Sequence, residues 1–501
     1  MGMVTHKRSR TGCWTCREAG YKCDEQKPFC SRCMRLRIAC KGYGVKLKWQ
    51  DDAVNTLNRP PRKPRKKTPS SSEHLASPSA SVSVSSTSYT LSSPQDALSS
   101  PESTRSIPRL PITPGSSHGM SPADRWLLHY WIDQLSTLLS VAPRNGDPSP
   151  FQIHLTSMAF ESPALRSTIL SMAANHMASA SHDSTLPLQA YRHQRDAIQE
   201  LQHMIQTTNG ANTEPALATV MMMQVSARLF SDDDEANVAN HLMGAKAMIA
   251  QFGKGGQWPS SRIRFLLSLF AYHDILSSVS RGAPPLVDHY MDFSAVEGHK
   301  DMESIAKVLL IVARISELQD RIRQRRAAAS ETALTEEEDA AGRELQQSLL
   351  AMDVANFSAA SLDSKIRLTA EAYRHAAFIY LYRTWLDIGA PNPITMDHVK
   401  RCLEYIEQVD VDSPLTTAHI WPLFTAGCEA IEEEQRIFVR IRFGDMYNSK
   451  RFPSLKRVMR DVEDVWAAKD LEQQMKGQDG MAKVDCIQVI LRRRGREVDL
   501  A

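Results

Sequence analysis

Six of the nine cysteines lie between residues 13 and 40. They fall as Cys13-x2-Cys16-x6-Cys23, then six residues, then Cys30-x2-Cys33-x6-Cys40, so the second half repeats the first with identical spacing. A Cys-x2-Cys pair brings two thiolates onto one metal, and a third cysteine further on supplies another. Three ligands per half leave each tetrahedral zinc one short. Two zincs need eight ligand places, and six thiolates fill them only if two of them bridge both metals. The arithmetic gives a binuclear cluster on two short helices related by a pseudo-twofold axis. A disulfide knot is the rival use of six cysteines, and it needs an oxidising compartment. The first ten residues are polar and basic with no apolar stretch behind them, so no secretion signal is expected. A zinc fold that binds protein rather than DNA is the stronger alternative.

The charge around the cysteines favours nucleic acid. Residues 1–67 carry 18 Lys+Arg against 5 Asp+Glu, whereas the remainder holds 42 against 52. A basic arm on an acidic body is the layout of a nucleic-acid binder with a separate partner-facing domain. Two Zn²⁺ and six thiolates sum to a net charge of −2, and basic residues offset this and face phosphates. Lys7, Arg8, Arg10, Arg17, Lys22, Arg32 and Arg35 are candidates, with Arg37, Lys41, Lys46 and Lys48 beside them. Phosphate contacts position a protein on DNA, but base edges carry the sequence information.

The cysteine spacing, with Lys22-Cys23-Asp24 and Pro28 ahead of the fourth cysteine, resembles the fungal zinc binuclear cluster (Zn2Cys6) DNA-binding domain over about residues 8–48. The resemblance implies six zinc ligands, Cys13, Cys16, Cys23, Cys30, Cys33 and Cys40, for two zinc ions per chain. Cys13 and Cys30 would be the bridging thiolates. It also implies double-stranded DNA as a partner. The family usually places basic residues at the third and fourth positions after the second cysteine, which here are Ala19 and Gly20. Neither side chain can donate to a base. That leaves Arg17, Tyr21 and Lys22 as readers from this segment. A good bidentate contact is worth about 1–3 kcal/mol of discrimination, so the family's usual half-site preference is not carried over.

Past the cysteines the composition changes. Arg59-Pro60-Pro61-Arg62-Lys63-Pro64-Arg65-Lys66-Lys67 reads as a nuclear localisation signal or a phosphate-contacting arm. Residues 68–122 are rich in Ser, Pro and Thr, too poor in large apolar groups to offset the entropy of ordering, and so are expected to be disordered. Gly115-Ser116-Ser117-His118-Gly119 matches a hydrolase nucleophile pattern by letter. It lacks the flanking strand and helix that the chemistry needs. No heptad stretch follows the cluster, which leaves any homodimer to the helical domain.

From Ser121 onward helical signals recur. Ser121-Pro122 and Ser162-Pro163 each read as an N-cap followed by Pro at the first helical position. The first opens a face of Trp126, Leu127, Tyr130, Trp131, Leu135, Leu138 and Leu139; the second carries Leu165, Ile169, Leu170, Ala173 and Met177. A third face runs through Val238, Leu242, Met243 and Ile249. Thr335 before three glutamates is another start, and apolar runs recur at 376–385 and 431–441. Some dozen helices in antiparallel pairs are expected. The segments at 126–131 and 161–165, with Trp421-Pro422-Leu423-Phe424, resemble a fungal-specific transcription factor domain. This likeness implies a regulatory body that recruits co-regulators or the transcription machinery, and that could sense a metabolite.

No catalytic constellation is visible: there is no P-loop, dinucleotide fingerprint or H-E-x-x-H motif. His176 and His182 read as surface or core histidines. Cys402, Cys428 and Cys486 read as small buried hydrophobes, and Met221-Met222-Met223 as core. Ser231-Asp232-Asp233-Asp234-Glu235 reads as a loop and helix start, and Arg492-Arg493-Arg494 as a solvated helix end. No run of about 18 apolar residues exists, so no membrane partner is expected.

The expected fold is a small zinc-stapled two-helix module (1–50), a basic then disordered linker (51–120), and a large all-α domain (121–501). The expected function is nuclear, zinc-dependent, sequence-specific regulation of RNA polymerase II transcription, without enzymatic activity. The alternative is a protein-binding adaptor whose zinc module no longer reads bases.

Overall fold

The computed structural model describes residues 13–19, 21, 23–25, 30–36, 38, 40, 120–140, 148–181, 183–207, 213–230, 239–252, 260–287, 303–329, 333–352, 364–498 and 500. The basic run 59–67, the linker, the 115–119 pattern, His182, the acidic run 231–235 and Val238 lie outside them. Two units hold the described residues, one within 1–106 and the other within 107–501. The first contributes two five-residue helices, α1 (Trp14–Glu18) and α2 (Ser31–Arg35).

The second unit is helical throughout, and no strand occurs among its described residues. It runs α3 (Pro122–Tyr130), α4 (Ser136–Leu138), α5 (Thr156–Glu161), α6 (Pro163–Ala180), α7 (Thr185–Thr207), α8 (Thr213–Phe230), α9 (Ala239–Phe252) and α10 (Ser261–Arg281). It continues as α11 (Glu303–Ala329), α12 (Glu336–Ala351), α13 (Ser364–Trp385), α14 (Pro393–Glu407), α15 (Ile420–Glu429), α16 (Glu433–Lys450), α17 (Pro453–Ala482) and α18 (Cys486–Arg494). None of the described helices is long and apolar enough to cross a membrane.

The helix starts follow the sequence signals. Ser121 and Asp124 form a capping box with Pro122 at the first position, and Thr335 and Glu338 form another. Ser162 accepts the Leu165 N–H at 3.4 Å. Two centres organise the packing. α6 lies between α7 and α8, and α13 lies among α11, α12, α14 and α15. Every residue from 376 to 385 except Arg383 is buried, as the apolar run there requires. Gly342 of α12 sits against the Trp385 ring, and a side chain there would meet that ring. Mid-helix glycine costs about 1 kcal/mol against alanine, and this close approach is what requires it.

Some expected faces are corrected. Leu127, Trp131, Leu135 and Leu139 are buried, but Trp126 is 52% exposed, because the apolar stripe of α3 is too narrow to include it. Met243 is 52% exposed beside buried Leu242. Ile437 and Ile441 face outward on α16, whereas Val439 and Phe443 turn in. Arg493 and Arg494 are not simply solvated, since both bond Asp464, at 3.0 and 2.7 Å. His176 is a core histidine, bonded to Tyr130 Oη at 2.7 Å and to the Lys450 carbonyl at 2.8 Å.

Polar groups join distant parts of the helical unit. The Arg228 guanidinium donates to Ser277 Oγ at 2.6 Å and to the Val498 carbonyl at 3.4 Å, and Arg457 donates to the Arg228 carbonyl. The deepest charge cluster centres on Glu429, which is 3% exposed. Its carboxylate accepts Lys469 Nζ at 2.6 Å, the Arg383 guanidinium at 2.6 Å and the Ala390 N–H at 2.7 Å. Burial works to raise the Glu429 pKa, but Lys469 and Arg383 outweigh it and hold it at about 2. Glu429→Gln leaves both cations buried without their counter-charge, and breaking such a pair costs about 3–5 kcal/mol. Thermal melting of the variant is expected to show that loss. Because the folded pKa lies below the ordinary 4.5, this stabilisation is complete above that pH and is lost as pH falls towards 2. The deficit of the variant in melting temperature should therefore shrink on acidification.

Candidate metal centre

A helix of five residues is too short to stand alone, since nucleation is unfavourable and isolated helices of fewer than about 12–15 residues are marginal in water. In α1 and α2 the stabilising groups are sulfurs. The Cys13 side chain caps α1 by accepting the Cys16 N–H at 3.4 Å, and the Cys30 side chain caps α2 by accepting the Cys33 N–H at 3.3 Å. The two halves match bond for bond at an offset of seventeen residues. Arg17 N–H to Cys13 O corresponds to Met34 N–H to Cys30 O, and Tyr21 N–H to Cys16 O corresponds to Ile38 N–H to Cys33 O. The local hydrogen bonding thus repeats with the cysteine spacing.

The six sulfurs converge into two groups. Cys13, Cys16, Cys23 and Cys30 place their sulfurs within 4.8 Å of one another, and so do Cys13, Cys30, Cys33 and Cys40. Cys13 and Cys30 belong to both. Sulfur–sulfur distances are 3.6 Å for Cys13–Cys30, 3.9 Å for Cys13–Cys33 and 3.7 Å for Cys16–Cys30. A tetrahedron with Zn–S bonds of about 2.3 Å has edges of about 3.8 Å. Each group of four thus has the number, identity and spacing of ligands for one zinc. All nine cysteines are free thiols.

Burial pushes the Cys13 thiol up, raises that of Cys33, and pushes that of Cys30 up to about 12. Left to themselves these sulfurs would stay protonated. A cation amid them reverses that balance, because a coordinating thiol is deprotonated outright. Further donors face the sulfurs: the Cys13 N–H to Cys23 Sγ at 3.3 Å, the Glu25 N–H to the same sulfur at 3.4 Å, and Arg32 to Cys16 Sγ at 3.7 Å.

Of the basic candidates, Lys7, Arg8, Arg10 and Lys22 lie outside the described residues, as do Arg37, Lys41, Lys46 and Lys48. Arg17 is exposed in the last turn of α1, and Arg35 is exposed in the last turn of α2. Arg32 is half-buried, and its guanidinium lies 3.9 Å from the centre of the Tyr21 ring. Arg32 and Tyr21 are therefore joined to each other and to Cys16 from opposite halves of the repeat, a role that charge counting gave no sign of. Asp24, named in the sequence only as part of the motif around Cys23, has a structural role. Its Oδ2 accepts the Ser31 N–H at 2.9 Å and ties the first half to the start of α2. Its position directly after Cys23 was the available signal.

Two family descriptions match the chain. The fungal Zn(2)-Cys(6) binuclear cluster domain matches residues 11–50, and the fungal specific transcription factor domain matches residues 126–500. Among curated proteins the chain is similar to pestheic acid cluster transcriptional regulator 3 of Pestalotiopsis fici, 50% identical over 56 residues, 10% of each chain. It is also similar to arginine metabolism regulation protein II of Saccharomyces cerevisiae, 51% identical over 39 residues, 8% of this chain and 4% of that one. Sterol uptake control protein 2 of Candida albicans is 42% identical over 67 residues, 12% of this chain and 9% of that one. The aligned portion is thus about a tenth or less of the length of these relatives. No solved structure matches the chain.

Partners that orient metal ligands typically cost 10–100-fold in metal affinity when lost. Arg32→Ala removes both the donor at Cys16 and the cation over Tyr21, so it is expected to weaken zinc retention at least about tenfold against a competing chelator. Arg35→Ala, at an exposed position, should leave retention unchanged.

Proposed function

We propose, from the premise that this chain belongs to the fungal-specific transcription factor family and regulates transcription, that it acts in the nucleus as a zinc-dependent, sequence-specific DNA-binding regulator of RNA polymerase II genes. Its module at 1–50 holds two zinc ions, with Cys13 and Cys30 bridging them and Cys16, Cys23, Cys33 and Cys40 as terminal ligands. The observation that carries this reading is the pair of overlapping four-sulfur groups that share Cys13 and Cys30. The metal supplies folding energy and fixes the two helices; it performs no reaction.

Zinc cluster domains bind DNA, and the basic excess of residues 1–67 supplies phosphate contacts whose affinity falls steeply with salt. Lys7, Arg8, Arg10 and Arg35 are assigned to positioning on phosphates, and Lys22 to base reading beside Arg17. Arg17 is assigned to base reading, because it stands exposed on α1 next to the donor-free Ala19. Arg32 and Tyr21 present a shared edge beside it. The basic run 59–67 directs nuclear import, the linker extends to about residue 120, and the helical unit at 121–501 recruits co-regulators and any second copy of the chain.

A second reading has its own support. Met34, Leu36 and Ile38 are 59%, 50% and 41% exposed on the second half-module, an apolar strip suited to a protein partner. On this reading the module is an adaptor.

Selection of the zinc-loaded chain against random duplexes at controlled salt separates the two. A defined motif should be enriched, and Cys13→Ala should abolish the enrichment. Arg17→Ala should relax one base position by about 1–3 kcal/mol, whereas Arg35→Ala should weaken all sequences alike. Binding that is weak, salt-labile and without a motif would move the adaptor reading forward. Native mass spectrometry checks the metal count, with two zincs expected and fewer in Cys30→Ala.

A further inference from the structure

The run Met221-Met222-Met223 divides on folding. Met221 and Met222 are fully buried, whereas Met223 lines a cleft of about 260 Å³ bounded by α6, α7, α8 and α9. Phe230, the last residue of α8, forms another part of the wall. Its ring is held edge-on by His176 and Phe452, with ring centres 6.2 and 6.1 Å away. Polar groups enter from all four helices: Asn175 from α6, Gln194 from α7, Ser226 from α8 and His241 from α9. None of these four side chains is hydrogen-bonded among the described residues, so each has bonding capacity to offer. No Asp, Glu, Lys or Arg is found among the described lining residues. Burial lowers the His241 pKa, which keeps that ring neutral as well.

Size and chemistry together narrow the occupant. A closed apolar cavity of about 150 Å³ takes benzene, and drug-sized ligands occupy about 300–1,000 Å³. The cleft falls between the two, which suits one substituted ring. An ionised ligand would lose hydration there without a counter-charge to replace it. A purely apolar ligand would displace water from the amides and the hydroxyl and leave them unpaired. The Met223 thioether and the fixed Phe230 ring favour an aromatic body. We propose that this cleft binds a small uncharged aromatic molecule, a single ring that carries hydroxyl or amide groups. Its ring lies against Met223 and Phe230, and its substituents bond to Asn175, Gln194, Ser226 and His241. An occupant held in this way ties α9 to α6. The site belongs to the helical unit and does not rest on base reading by the zinc module.

The test is saturation-transfer NMR of the zinc-loaded full chain with millimolar 4-hydroxybenzamide at neutral pH. Its anionic counterpart of similar shape, 4-hydroxybenzoate, is measured beside it. The amide should receive saturation, and the anion should bind at least about tenfold more weakly. Ser226→Phe, which fills the cleft, should abolish transfer to the amide. Asn175→Leu keeps the volume and removes a bonding group, so it should weaken binding about tenfold. This second variant decides the matter if the first folds poorly. Absence of transfer from the folded parent chain would overturn the proposal. Equal binding of the anion would do the same, as would transfer that survives both substitutions unchanged.

Discussion

Sulfurs spaced 3.6–3.9 Å apart and shielded from water set the terms for the N-terminal unit. As anions they repel one another, and as neutral thiols they are weak hydrogen-bonding groups that give two five-residue helices little reason to persist. A divalent cation resolves both difficulties at once. It stabilises the charged sulfurs, and through the caps at Cys13 and Cys30 it fixes where α1 and α2 begin. What α1 can present outward, Arg17 and Ala19 among the described positions, follows from that anchoring rather than from any apolar core. Among its described residues the buried cluster consists of cysteines.

The helical unit solves the opposite problem. Its apolar core is extensive, and polar and charged groups are buried within it. Glu429, Lys469 and Arg383 join α13, α15 and α17, and Arg383 also donates to the Ala482 carbonyl ahead of α18. Such a cluster adds little net stability over a well-packed apolar substitute, yet removing one member is costly. Arg228 and Arg457 act in the same way between α8 and the last residues.

The cysteine module was readable from the chain because metal geometry leaves few solutions to a repeated spacing. Cys13 and Cys30, expected to be the shared ligands, are the two sulfurs common to both four-sulfur groups. Helix starts were equally legible, since Ser121, Ser162 and Thr335 announce themselves through caps. Exposure was less so. Trp126 and Ile441 read as core, because a stripe of apolar residues does not say how wide the neighbouring helix is. Cys486 read as a small hydrophobe, because Glu429, whose Oε1 accepts from its thiol at 3.7 Å, lies far off in the chain. Arg32 read as a phosphate contact, because nothing in a linear charge pattern places it over Tyr21.

The sharing of Cys13 and Cys30 also has a consequence in time. Neither half of the repeat contains four sulfurs, so nothing upstream of Cys30 can complete a site while the chain is being made. At about 5–20 residues per second, the ribosome adds the stretch from Cys13 to Cys30 in roughly 1–3 s, and Cys40 follows about 0.5–2 s later. The group of Cys13, Cys16, Cys23 and Cys30 therefore becomes complete first and the other second. Synthesis itself imposes an order of completion on the two four-sulfur groups.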